Sequence, residues 1–141
     1  MVKKFVWVAF TLVFCACLQH AFAMGELMVV TKETQAKLGL KYTLVAARVD
    51  DEAVLVQIEI PRKGKLKTLR SVSMRIGNGR PKVAATLQTT TGKNGSWTAA
   101  FQVSPDLAES CYIDLVVPSP QSGMEYVVYA VELKGYVKAR K

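Results

Sequence analysis

The chain has 141 residues, half of them hydrophobic, and 19 basic against 11 acidic side chains give a formal charge of +8. That length holds one domain rather than two, and the basic excess favours anionic partners such as acidic polysaccharide, lipid headgroups or nucleic acid. One histidine and three cysteines leave little material for zinc sites or for paired nucleophiles.

The first 23 residues read as a cleaved signal peptide. Lys3 and Lys4 form a basic start, Phe5 to Leu18 is an uncharged apolar run, and Ala21-Phe22-Ala23 gives the small-x-small cleavage pattern. The run is short for a membrane span, which sets aside an uncleaved anchor. A lipoprotein acylated at Cys17 lacks the leucine that should open its box. Cleavage removes Cys15, Cys17 and His20. The mature chain, 24–141, then has no histidine, one cysteine, no disulfide and no membrane span. It is expected to be exported, periplasmic or secreted.

Residues 24–40 form a lead-in, with a short edge strand over Leu27–Val30, weak helical character from Thr31 to Lys37, and Gly39 as a helix stop. A sandwich domain follows over 41–134. It opens with a hairpin in which Val54, Val56, Ile58 and Ile60 alternate with polar or outward positions after the turn Asp50-Asp51-Glu52. Pro61 closes that strand, and Arg62 to Lys65 turns the chain. The third strand, Leu69–Ile76, places Val72, Met74 and Ile76 inward and Ser71, Ser73 and Arg75 outward. Gly77-Asn78-Gly79 is a strong turn signal, and Pro81 delays the fourth strand, Lys82–Thr90, with Val83, Ala85 and Leu87 inward. A second Gly-rich turn, 91–95, leads to the fifth strand with Trp97, Ala99, Phe101 and Val103 on one face.

Ser104-Pro105-Asp106 begins one helical turn, with Ser as cap, Pro at the first position and Leu107 plugging the core. Cys111, Ile113, Leu115 and Val117 form the inner face of the sixth strand. The seventh, Met124–Leu133, is apolar on both faces, as a central strand would be. Residues 135–141 read as a frayed basic tail.

Seven short strands separated by turns predict an all-β, seven-stranded antiparallel two-sheet sandwich, immunoglobulin-like in architecture. Asp106-Leu107-Ala108 before the strand of Cys111 resembles the corner before the sixth strand of immunoglobulin-like domains. The tyrosine two residues before the cysteine and the second cysteine of that family are missing, so the likeness implies architecture alone.

Catalysis finds few carriers. Without histidine, Ser-His and Cys-His pairs are excluded from the mature chain, and no Gly-rich phosphate loop is present. Two acids suffice for a glycosidase, but Asp50, Asp51 and Glu52 diverge from one turn. The same trio lacks the spacing of a calcium loop and reads as a solvated turn. No cofactor or metal is expected. Cys111 reads as a buried thiol, and Asn94-Gly95-Ser96 matches a glycosylation sequon that also reads as a turn.

The remaining surface feature is the cluster Arg62, Lys63, Lys65, Lys67 and Arg70, with Arg75, Arg80 and Lys82 downstream. If the segment is strand, Lys65 and Lys67 share a face, and the cluster attracts anions as point charges. Alternatively it protects a sheet edge from aggregation. No aromatic is interleaved with it, which argues against specific nucleic-acid binding. The expected function is a non-catalytic exported module that binds a protein or an anionic cell-envelope polymer. The alternative is a small cationic inhibitor of an extracytoplasmic enzyme. The mature chain should begin at Met24, and intact-mass measurement of exported protein that finds 1–23 attached, or a lipid on Cys17, refutes that.

Overall fold

The computed structural model of the chain describes residues 25–77 and 83–138. The expected signal peptide, the 78–82 part of the turn with Arg80, Pro81 and Lys82, and residues 139–141 lie outside those described.

The described residues are all-β and form a sandwich-like pair of five-stranded sheets. In chain order the strands are β1 (Gly25–Val30), β2 (Thr43–Arg48), β3 (Val54–Ile60), β4 (Ser71–Ile76) and β5 (Val83–Thr86), then β6 (Thr90–Thr91), β7 (Trp97–Val103), β8 (Cys111–Pro118), β9 (Tyr126–Glu132) and β10 (Val137–Lys138). One sheet has the order β1-β9-β8-β4-β5 and the other β10-β2-β3-β7-β6. Two one-turn helices interrupt them, α1 (Thr34–Lys37) and α2 (Pro105–Ala108).

The hairpin forms where the alternation places it. β2 and β3 pair antiparallel from Thr43↔Glu59 to Arg48↔Val54, and β3 alternates strictly between buried and exposed. The acidic turn is closed by Asp50, whose Oδ1 accepts the backbone N–H groups of Glu52 and Ala53, each at 2.8 Å. A short aspartate thus replaces the glycine this turn lacks. Gly39, at φ +68°, ends α1 in the left-handed region.

The core joins the inner faces of β3, β4, β8 and β9 in one cluster. Cys111, Ile113, Leu115 and Val117 are buried on β8, and Val54, Val56, Ile58 and Ile60 on β3. Each of these aliphatic side chains contributes about 1.5–3 kcal/mol by leaving water.

Several expectations need correction. The strand count is ten among the described residues rather than seven, because β1 and β10 join the sheets at the two ends and the expected fourth strand divides into β5 and β6. β1 pairs parallel with β9. The tail is not frayed through Lys138: Leu133 to Tyr136 makes a 3-10 turn and β10 pairs parallel with β2. Tyr136 is buried, and its hydroxyl donates to Gln35 Oε1 at 3.0 Å. With that proton committed, the Tyr42 hydroxyl, 2.9 Å away, donates to Tyr136. Gln35 Nε2 in turn donates to the Tyr42 carbonyl at 2.8 Å. A tail tyrosine with an apolar ring and a satisfied hydroxyl has a clear place inside.

The expected fourth strand divides. β5 pairs with β4, Leu87 N–H then donates to Val72 O, and β6 pairs with β7 in the other sheet. Ala85 is exposed rather than inward, because β5 is an edge of its sheet and, among the described residues, no further strand lies beside it. Leu107 is also exposed, and its neighbour Ala108 is the buried residue of α2. Ser104 begins α2 through its carbonyl, which accepts from Leu107 and Ala108 N–H, and its side chain does not cap.

Arg75 is buried rather than solvated. Its Nε and one terminal nitrogen donate to the two carboxylate oxygens of Asp114 at 2.8 and 3.1 Å, and the other terminal nitrogen to Gly77 O at 2.9 Å. The guanidinium also lies 4.7 Å from the Tyr112 ring centre. A buried guanidinium is tolerable only with such a full set of partners. Replacing Asp114 with Ala strands that charge, and a urea titration should show a loss of about 3–5 kcal/mol. A loss below about 1 kcal/mol, the range of an exposed pair, would mean that water compensates Arg75.

Candidate anion-binding surface

The five clustered cations lie on the crossover that carries the chain from β3, inside one sheet, to β4, inside the other. Neither flanking strand is an edge, so edge protection does not account for the cluster. The segment is not a strand either. Gly64, at φ +57°, starts a 3-10 turn over Gly64–Leu66, so the shared strand face expected for Lys65 and Lys67 does not exist. Leu66 and Leu69 are buried, and this three-residue spacing suits a 3-10 turn. The two leucines seat the crossover in the core while Arg62, Lys63, Lys65, Lys67 and Arg70 remain exposed.

The crossover separates the five. Arg62, Lys63 and Lys67 line an open groove of about 510 Å³, together with Asn94 and Ser96 from the β6–β7 turn. Lys65 points elsewhere: its Nζ donates to Leu38 O at 2.6 Å, and it borders a second hollow of about 290 Å³ beside Val127 and Tyr129. Arg70 lines neither hollow and is held by its backbone N–H on Val116 O.

The groove has an aromatic that the cluster itself lacks. β3 pairs with β7 so that Ile60 stands opposite Trp97, which brings Arg62 over the indole at 4.7 Å. Trp97 is half-buried and packs against the core. A terminal nitrogen of Arg62 donates to Lys67 O at 3.3 Å. The guanidinium is therefore held by a ring and a carbonyl, and its remaining donors have no partner among the described residues. The aromatic that the cluster's own sequence lacks is thus supplied by a neighbouring strand. Trp97, Asn94 and Ser96 were not singled out as site residues. One signal was available: Pro61 ends one strand, Trp97 begins another, and antiparallel neighbours place such ends side by side.

The acidic turn is partly engaged with its own surroundings. Asp50 is committed to its own turn, and Asp51 lies 3.6 Å from Arg48. No group of three or more potential metal ligands occurs among the described residues, and no described helix is long and apolar enough to cross a membrane. No protein-family model, no curated protein and no solved structure matches the chain.

Cys111 is fully buried. Burial, reinforced by the Asp114 carboxylate, pushes its thiol up to about 11, well above the roughly 8.5 of an exposed thiol. Burial likewise raises Tyr42, Tyr129 and Tyr136. These groups hold their protons more tightly folded than unfolded, so their contribution to stability is complete below the unfolded pKa values. It is lost as pH rises through the folded values. Stability should be flat near neutral pH and fall above about pH 9. Cys111 should resist thiol reagents until the chain unfolds. Alkaline melts and native-state labelling check both, and rapid native labelling would contradict the burial.

Proposed function

We propose that the chain is a non-catalytic exported module that binds a protein or an anionic cell-envelope polymer through the basic crossover. Its immunoglobulin-like character is part of this reading, in the sense of a sandwich that presents a recognition surface on its connections. The observation that carries the proposal is the absence of counter-ions. Among the described residues the ion pairs are Arg48–Asp51, Arg75–Asp114 and Lys134–Glu132. None involves Arg62, Lys63, Lys65, Lys67 or Arg70. Arg62, Lys63 and Lys67 share one groove whose lining holds no acid among the described residues, and an external anion would relieve their mutual repulsion.

Lys63 and Lys67 are the informative pair to reverse, because both line the groove and neither side chain makes a hydrogen bond among the described residues. Binding of the mature protein to an anionic envelope fraction should weaken steeply between 0.1 M and 1 M salt, as the Debye length shrinks from about 10 to about 3 Å. Replacing both lysines with Glu should abolish most of the binding while stability shifts by no more than about 0.5 kcal/mol per site. Wild-type affinity in the double variant at low salt would remove the crossover from consideration.

A further inference from the structure

The ligand class can be narrowed, on the reading that the basic crossover is a binding surface. We infer that the Arg62 groove takes a carboxylate carried on a sugar ring, so that its ligand is an acidic polysaccharide of the uronic-acid type.

The first reason is the state of Arg62. A free surface arginine loses side-chain freedom on binding, whereas this one is already fixed by the Trp97 ring at 4.7 Å and by Lys67 O at 3.3 Å. Its planar donor edge matches the two oxygens of a carboxylate in parallel bonds. Lys63 and Lys67 beside it in the groove serve as point charges for neighbouring acid groups along a chain.

The second reason is the part of the lining that the β6–β7 turn supplies. Asn94 and Ser96 both donate and accept hydrogen bonds, and neither side chain has such a partner among the described residues. Gly95, at φ +73°, and the Gly92 N–H bond to Ser96 O at 2.8 Å fix the turn that carries them. Mixed donors and acceptors suit hydroxyl groups, which an acidic peptide or a phosphate chain does not offer in a row.

The third reason concerns Trp97. Single-stranded nucleic acid needs an open aromatic face for base stacking. This ring packs against the core and lies under Arg62, so it supports the guanidinium rather than a base. A hollow open to solvent, rather than an enclosed pocket, also leaves room for the rest of a polymer chain to extend beyond it.

The test uses the mature protein and calorimetric titration at physiological salt with three probes of similar charge density: oligogalacturonate, poly-glutamate and single-stranded DNA. Oligogalacturonate should bind most tightly. Arg62→Lys keeps the charge but loses the fork and much of the stacking, and it should weaken that binding by roughly tenfold. The variant's thermal melt, compared with the wild type, confirms that it is folded. Preference for poly-glutamate or DNA overturns the polysaccharide assignment and leaves the basic-surface reading in place. So does Arg62→Lys binding oligogalacturonate like the wild type. Failure of all three probes to bind, even at low salt, overturns both.

Discussion

The burial of the inner faces of β3 and β8 in one core is the constraint on which the surface of this domain depends. Ile58, Ile60, Ile113 and Leu115 are among its largest fully buried side chains. Because side chains alternate along a strand, slipping β3 by one residue against β7 would turn its whole buried set outward. The core therefore fixes the register that places Ile60 beside Trp97. Pro61 ends β3 at that point, and Arg62 emerges over the indole. A packing requirement in the interior thus determines where a surface guanidinium stands.

Polar groups inside the frame obey a second rule, that burial requires a complete set of partners. Among the described residues no buried side-chain nitrogen or oxygen lacks one. Arg75 meets this through Asp114 and Gly77, and the tyrosine pair meets it through Gln35. The second network has a further consequence. It ties α1, the start of β2 and the last described turn together, so that both ends of the described chain are fastened to the sandwich at one place.

Period-two alternation made β3, β7 and β8 legible from the amino-acid sequence, and glycine or aspartate chemistry made their turns legible. What stayed hidden was long-range. Arg75 and Asp114 are 39 positions apart, and in isolation an arginine that follows Ser71 and Ser73 on one strand face reads as solvated. The Leu66–Leu69 spacing is too short to announce a turn when lysines surround it. β10 has two residues, and its parallel pairing with β2 leaves no periodic trace. The five cations were visible as a cluster, but their separation along the crossover, with Arg70 in neither hollow, and the tryptophan beneath Arg62 depend on the tertiary fold.

Strand length also keeps the acidic turn from neutralising the groove. The exposed trio Asp50-Asp51-Glu52 precedes β3, and Arg62 follows it. A seven-residue strand separates these ends by about 20 Å at roughly 3.3 Å per residue. At physiological salt, charges decouple beyond about 8 Å, so the acidic turn cannot neutralise the crossover. Asp50 and Asp51 are in any case occupied, one by its own turn and the other by Arg48. β3 thus holds the acidic trio away from the basic crossover, and Glu59 near its basic end forms no ion pair with that crossover among the described residues. An anion approaching the basic end meets an attraction that the far end scarcely weakens. On the proposed reading that attraction, screened by salt, would govern encounter, while the fork of Arg62 would govern what is retained.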